Sequence, residues 1–308
     1  MKVLIGIDGS ELSFHAAQFA CRLITAARDQ LVLYYAPPET SVRSSSAGNE
    51  AIVERARRAL SEPLFREAKS RLPQELADGA IELVGAEQPA HGLLLAAQQE
   101  QVQMIVLGAR GAGPMPHRPL GAVGRAVAHS AQAPVLLVRP TGEEPNAEAP
   151  LRILLARDPA EVCRAAASLL NQWTLPPKTV GRVMTVVPTL FAGEVPAWLE
   201  EAARRSDEEA MARAWVEHRD AQQQQVRNQL AQFATTLPDA FQHHLPIVCD
   251  GHPAQQIERV IERERISLVA VGARSRGAVS RFLLGSVSEQ ILTHAPCSVL
   301  IARQSPVD

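Results

Sequence analysis

The chain repeats itself. Val106-Leu107-Gly108-Ala109-Arg110 returns as Ala270-Val271-Gly272-Ala273-Arg274, and the same offset of 164 residues links Gly121 to Gly285, Val135-Leu136 to Val299-Leu300, and Arg139 to Arg303. A register kept through several separate segments marks a duplicated unit, and it decides the architecture before any single motif is read. At the front of each half the offset is 150, pairing Leu4-Ile5-Gly6-Ile7-Asp8 with Leu154-Leu155-Ala156-Arg157-Asp158. The second half therefore carries 14 extra residues, the difference of the two offsets. A sheet tolerates such an insertion in loops or peripheral helices.

A chain of 308 residues has the length for two domain cores. The boundaries expected are 1–140 for the first unit, a Pro-, Gly- and Glu-bearing linker over 141–150, and 151–308 for the second, with a helical insertion at about 190–240. Apolar runs predict strands near 2–7, 30–36, 80–85, 103–108 and 135–139, then near 151–156, 179–187, 245–249, 267–272 and 299–303. These runs are almost wholly apolar, as parallel strands covered on both faces must be. Helical patterns fill the gaps at 12–27, 49–72, 89–101 and 121–130, then at 159–172, 197–235, 253–264 and 285–293. Pro63 is expected to interrupt the second of them. Strand–helix alternation of this kind gives right-handed βαβ units and, in each half, an open doubly wound α/β sheet.

Such a sheet binds ligands beyond the carboxyl ends of its strands, where the strand order reverses. Asp8 and Asp158 end the first strands, and Gly108 and Gly272 end the fourth. A carboxylate there accepts hydrogen bonds from ribose hydroxyls or an exocyclic amine; the competing role for either Asp is a turn or a helix cap. The glycines carry a spacing, Gly108-x2-Gly111-x9-Gly121 in the first half and Gly272-x2-Ser275-x9-Gly285 in the second. The helix after the last glycine opens with Ala122-Val123-Gly124 in one half and Ser286-Val287-Ser288-Glu289 in the other, the latter with capping-box spacing between Ser286 and Glu289. Unbonded amides of a first helical turn, helped by the helix dipole, hold phosphate oxygens. The hydroxyls of Ser286 and Ser288 would add donors. Arg110 and Arg274 stand two residues past their glycines, where a guanidinium would pair with phosphate or simply be solvated.

Other chemistries find little support. The net charge of −2 lacks the basic footprint of a nucleic-acid binder. No run reaches the length of a bilayer span, the start of the chain has no signal-peptide pattern, and Cys21, Cys163, Cys249 and Cys297 form no CxxC pair, so a reducing cytoplasm is expected. His243, His244 and Cys249 lack a fourth ligand at a metal spacing. Ser-His-Asp, GxSxG and P-loop signatures are missing.

Together, Ile7-Asp8-Gly9-Ser10, the G-x2-G-x9-G spacing, Gly285-Ser286-Val287-Ser288-Glu289 and Ala295-Pro296-Cys297-Ser298-Val299-Leu300 resemble universal stress proteins, once per half. The resemblance implies an adenine nucleotide alpha hydrolase-like sheet of order 3-2-1-4-5 in each half and, in the nucleotide-binding branch, one ATP, ADP or AMP per domain, with or without magnesium. By that likeness Asp8 and Asp158 meet adenosine, the backbone at Ala36 and Val186 meets adenine, and the glycine loop with the following turn (Gly108, Gly111, Gly121, Ala122 and Val123; Gly272, Ser275, Gly285, Ser286, Val287 and Ser288) holds ribose and phosphates. The two copies are expected to pack as a pseudo-dimer, with a homodimer as a further option.

Both halves depart from the pattern. Ala122 stands where nucleotide binders of the family have Ser or Thr, and Pro114, Pro116 and Pro119 crowd the first spacer. Ser275 replaces the middle glycine of the second, and Asp158-Pro159 replaces Asp-Gly-Ser. The second half is the better phosphate site by these residues and the first the better adenosine site. Three readings follow: a non-enzymatic stress-response protein that binds adenine nucleotide and signals by shape or association; an interaction scaffold without nucleotide, served by the amphipathic stretch 197–235; and a weak ATPase or autokinase. No residue positioned as a base for an attacking water is legible, which favours the first.

Overall fold

The computed structural model describes residues 1–37, 47–110, 120–140, 150–157, 163–187, 221, 223–273 and 284–303. The first half contributes β1 (Lys2–Gly6), α1 (Glu11–Cys21), β2 (Gln30–Tyr35), α2 (Ala47–Ser70), α3 (Gln74–Asp78), β3 (Ile81–Val84), α4 (Pro89–Gln99), β4 (Met104–Gly108), α5 (Ala122–Ser130) and β5 (Val135–Val138). The second contributes β6 (Arg152–Arg157), α6 (Cys163–Gln172), β7 (Val180–Val187), a helical stretch over 223–234, β8 (Ile247–Asp250), α7 (Pro253–Arg263), β9 (Leu268–Gly272), α8 (Ser286–His294) and β10 (Ser298–Ala302).

Each half has the strand order 3-2-1-4-5, all parallel, and the halves join into one ten-stranded sheet of order β3-β2-β1-β4-β5-β10-β9-β6-β7-β8. The sequence reading gave two sheets; they are fused edge to edge by an antiparallel pairing of β5 with β10. Val135 pairs with Ile301, Leu136 with Leu300 and Leu137 with Val299. Leu136 and Leu300 are equivalent positions of the repeat, so a pseudo-twofold axis passes between them. Pairing the two edges occupies N–H and C=O groups that would otherwise template association with other chains.

Strand alternation splits the core into two layers. On one face Val3 and Ile5 pack with Phe14 and Phe19 of α1, Phe65 and Ala68 of α2, and Leu169 and Leu170 of α6. On the other, Leu4 and Val32 pack with Leu93 of α4, Val127 of α5 and Ile257 and Ile291 of α7 and α8. Both layers cross from one repeat to the other.

One helical expectation needs correction. Helix α2 runs through Pro63 instead of stopping there. Proline removes one backbone hydrogen bond, and the burial of Phe65, Ala68 and Leu72 against the sheet on its C-terminal side outweighs that loss. Of the expected helix 197–235, the stretch 223–234 lies against its own sheet, with Leu230 and Ala234 buried and Val226 and Phe233 beside them; Arg157 stacks on the Phe233 ring at 4.9 Å. Residues 197–220 and 222 of that expected helix lie outside the described residues, as does most of the expected linker.

Candidate functional site

A cavity of about 490 Å³ opens at the carboxyl ends of β1 and β4 in the first repeat. That size lies within the range of ordinary small-molecule sites. Asp8, Ala36, Gly108, Arg110, Gly121, Ala122 and Val123 all line it. Chain order scatters these residues, and the reversal of strand order between β2-β1 and β4-β5 gathers them, as an open sheet requires.

The Asp8 loop is a built turn. Gly9 takes φ +81°, a left-handed conformation that favours glycine. Asp8 Oδ1 accepts hydrogen bonds from the Ser10 amide at 3.0 Å and the Ser10 hydroxyl at 2.6 Å. Ser10 in turn caps α1, its Oγ accepting from the Ser13 amide at 3.1 Å. The cap is thus Ser10, and Asp8 orders that cap while its side chain stands exposed at the cavity. Ala36 lies just past the end of β2 on the facing wall.

Gly108 leaves little room for a side chain: a Cβ there would lie 3.0 Å from Leu12 Cγ and 3.1 Å from the Leu12 and Arg110 carbonyl oxygens. Beyond it the Ala109 amide donates to Val138 O at 2.8 Å, and the Gly121 amide donates back to Ala109 O at 2.8 Å. This second bond brings the start of α5 under the end of β4. Gly121 caps the helix in extended conformation, and the first intrahelical bond runs from the Arg125 amide to Gly121 O at 3.0 Å. The amides of Ala122, Val123 and Gly124 precede that bond and have no acceptor within the helix. They form a donor cradle with a positive helix end behind it.

The walls escaped the sequence reading. Tyr34, Leu93, Leu107 and Leu120 line the cavity and make its floor apolar. Tyr34 is 4% exposed, and its hydroxyl has no hydrogen-bond partner among the described residues. Burial, and next the negative charge of Glu87, push its ionisation up. The ring tip occupies space that any Cβ on Gly85 or Gly92 would enter, each virtual Cβ lying 1.9 Å from the Tyr34 oxygen. The pair of glycines was the signal available in sequence.

The model of the universal stress protein family matches residues 1–139 and 179–303 of this chain, most of both repeats. The chain belongs to the universal stress protein family. Universal stress protein YxiE of Bacillus subtilis is 30% identical over 146 residues, covering 45% of this chain and 98% of that protein. A Thermus aquaticus universal stress protein is 37% identical over a shorter stretch of 57 residues, 18% of this chain and 42% of that protein. The crystal structure of a universal stress protein from Archaeoglobus fulgidus superposes with a TM-score of 0.58 at 18% identity, covering 98% of each chain, which is a likeness of fold.

The second repeat of this universal stress protein shares part of the cradle. The Ala273 amide donates to Ala302 O at 2.9 Å and the Glu289 amide to Gly285 O at 2.9 Å, the counterparts of the bonds at Ala109 and Arg125. Gly285 is the N-cap, which makes Ser286 the first helical residue. The capping box expected of Ser286 and Glu289 is therefore not formed, because a box needs the hydroxyl at the cap itself. Ser288 is buried and donates its hydroxyl to Gly272 O at 2.6 Å, tying helix to strand end instead of facing a ligand. Val186 sits inside β7, buried and paired with Cys249, and not beyond the strand as Ala36 does. Val287 is partly buried against the core. Gly111, Asp158, Ser275 and Arg274 lie outside the described residues.

Arg110 lines the cavity and also a smaller crevice of about 260 Å³ between the repeats, which it shares with Arg139, Thr293 and His294. No group of three or more His, Cys, Asp or Glu side chains is placed to hold a metal among the described residues. His243 contacts Asp239 at 3.0 Å. Among the described residues no helix is long and apolar enough to cross a membrane.

Proposed function

We propose that this universal stress protein binds one adenine nucleotide in the first-repeat cavity and acts in the cytoplasm by a change of shape or association, without turning its ligand over. The observation that carries the reading is the convergence on one cavity of a carboxylate (Asp8), a strand-end backbone wall (Ala36) and the first-turn amides of α5 (Ala122, Val123, Gly124), which have no acceptor within the helix. The apolar floor of Tyr34, Leu93 and Leu107 suits the faces of a purine. The carboxylate suits its ribose hydroxyls, and the helix end with Arg110 at the rim suits phosphate. Magnesium, where present, would arrive with the phosphates.

The second repeat is the weaker candidate on this reading, since Ser288 spends its hydroxyl on Gly272. That reverses the ranking by phosphate-loop residues alone. The domain boundaries proposed are 1–140 and 151–308, joined by 141–150. Heat denaturation of the purified chain, followed by mass spectrometry of the supernatant, tests the proposal. AMP, ADP or ATP near one per chain supports it. None, even after prior incubation with each nucleotide, would leave the scaffold reading in its place. Labelled ATP with magnesium should show bound nucleotide outlasting any hydrolysis; steady release of ADP would favour the enzyme reading.

A further inference from the structure

The surface between the repeats contains contacts of two kinds. The first kind is common to both repeats. Strand edges β5 and β10 are equivalent, and Arg139 and Arg303, also equivalent, make the same contacts in opposite directions. Those contacts would serve equally if two first repeats, or two second repeats, met across the same axis.

The second kind is not shared. Arg125 of α5 and Glu289 of α8 are equivalent positions, 164 residues apart, and they meet each other, Nη1 to Oε1 at 3.0 Å. A residue that meets its own equivalent lies on the pseudo-twofold axis, so in a self-paired assembly it would meet a copy of itself. Arg125 would face Arg125, flanked by two copies of His129. Glu289 would face Glu289. In the observed pairing the same axis carries opposite charges, and the His129 ring lies beside them, its Nε2 at 2.8 Å from the second Glu289 oxygen. His129 is equivalent to Thr293, so this contact too exists on one side alone.

We propose that this axis contact makes the inter-repeat surface selective for a complementary repeat: it accepts a repeat with an acidic residue at the axis position, which the chain supplies from its own second half, and rejects the like-charged self-pairing of either repeat with a second copy of the chain. Covalent linkage already presents the halves to each other at effective concentrations of roughly millimolar. The charge pair is thus not needed to hold one chain together. What it changes is the competition from other chains during folding, by opposing the two wrong pairings. Arg125 and Glu289 are partly exposed, so screening limits the preference to about two- to tenfold per pairing.

Full-length chains with Arg125→Glu, with Glu289→Arg and with both reversals test this. In either single variant every pairing becomes like-charged, so selectivity is lost. Each should show a lower urea midpoint than the wild type. Refolded at several hundred micromolar, each should give a severalfold larger fraction of dimers and higher species by light scattering. The double reversal restores opposite charges on the axis and should recover both the midpoint and the monomer. Raising the salt to 1 M should narrow the differences. The proposal is overturned if the single variants refold with the wild-type fraction of monomer. It is overturned equally if the double reversal is as destabilised and as associated as the sum of the singles, because the effect would then be local damage and not recognition.

Discussion

Arg139 and Arg303 hold the ends of each other's last helices. Arg139, at the end of β5, donates through Nη1 to Ala295 O and through Nη2 to Leu292 O at 2.5 Å, at the C-terminus of α8. Arg303, at the end of β10, donates to Ala131 O and to Ala128 O at 2.5 Å, at the C-terminus of α5. The last carbonyls of a helix lack intrahelical donors and carry the negative end of its dipole, so each repeat's arginine completes the other repeat's helix. Burial lowers the ionisation of both guanidinium groups, that of Arg303 to about 10, which leaves Arg303 charged at neutral pH.

Removing one clamp strands buried carbonyls and lets water into the seam. Arg139→Ala should cost about 2–4 kcal/mol in urea unfolding. Arg139→Lys should recover less than half of that, because a single ammonium cannot reach several carbonyls as the planar fork does. Full rescue by Lys would show that charge alone matters here.

The hydroxyl of Ser288 joins α8 to Gly272, and its counterpart in the first repeat is Gly124, whose added Cβ would lie 3.3 Å from Leu137 Cδ2 and 4.0 Å from Gly108 O. Ser288→Ala should destabilise the chain by about 1–2 kcal/mol, the cost of a lost buried hydrogen bond. Gly124→Ser should stabilise it by about 0.5 kcal/mol through helix propensity, provided Leu137 yields a few tenths of an ångström. Paired denaturation curves read both effects.

Tyr34 and Gly92 predict a rescue. Gly92→Ala places a methyl group where the Tyr34 hydroxyl lies, and overpacking of this kind costs about 1–3 kcal/mol. Tyr34→Phe removes an oxygen that has no partner among the described residues, so it should be neutral or stabilising. The double variant should regain most of the loss. Additive losses in the thermal midpoints would contradict the packing described.

Alkaline pH gives a separate test. Burial raises the thiols of Cys21 and Cys297 to about 12 from an ordinary value of 9.0. An acid whose folded pKa lies above its unfolded one binds more protons in the folded state between those values. The stability it contributes is complete below about pH 9 and is lost as pH rises toward 12. Cys297→Ala should flatten the fall in urea midpoint across that window, and native protein at pH 7.5 should leave both thiols unreacted with a disulfide reagent.

Local patterns carried much of the architecture. The apolar runs around Leu4 and Ile105 marked parallel strands because both faces of each are buried, and the recurrence of Arg139 at Arg303 marked the repeat. In the first half, Asp8, Ala36, Gly108, Gly121, Ala122 and Val123 do converge on one cavity. What sequence could not display were contacts between distant segments. The β5–β10 seam depends on which edges remain unpaired after each half folds, and the cross-clamps depend on that seam. Helix α2 passes Pro63 because tertiary packing outweighs one missing hydrogen bond. Ser288 reads as a ligand donor because it lies in the first helical turn after Gly285, and only the approach of Gly272 O shows where it points.

The most direct test of the account is calorimetric titration of ATP, AMP and adenosine into wild-type chain and Ala122→Asp. Ala122 is the first residue of α5, exposed at the cavity. A carboxylate there favours the helix by about 0.3–1 kcal/mol while repelling a phosphate in the same place. The account predicts one high-affinity site per chain, an ATP affinity lowered at least about tenfold in the variant, which is about 1.4 kcal/mol, adenosine affected far less, and an unchanged or raised thermal midpoint. ATP binding equally tight in both proteins, or no heat of binding in either, would contradict it.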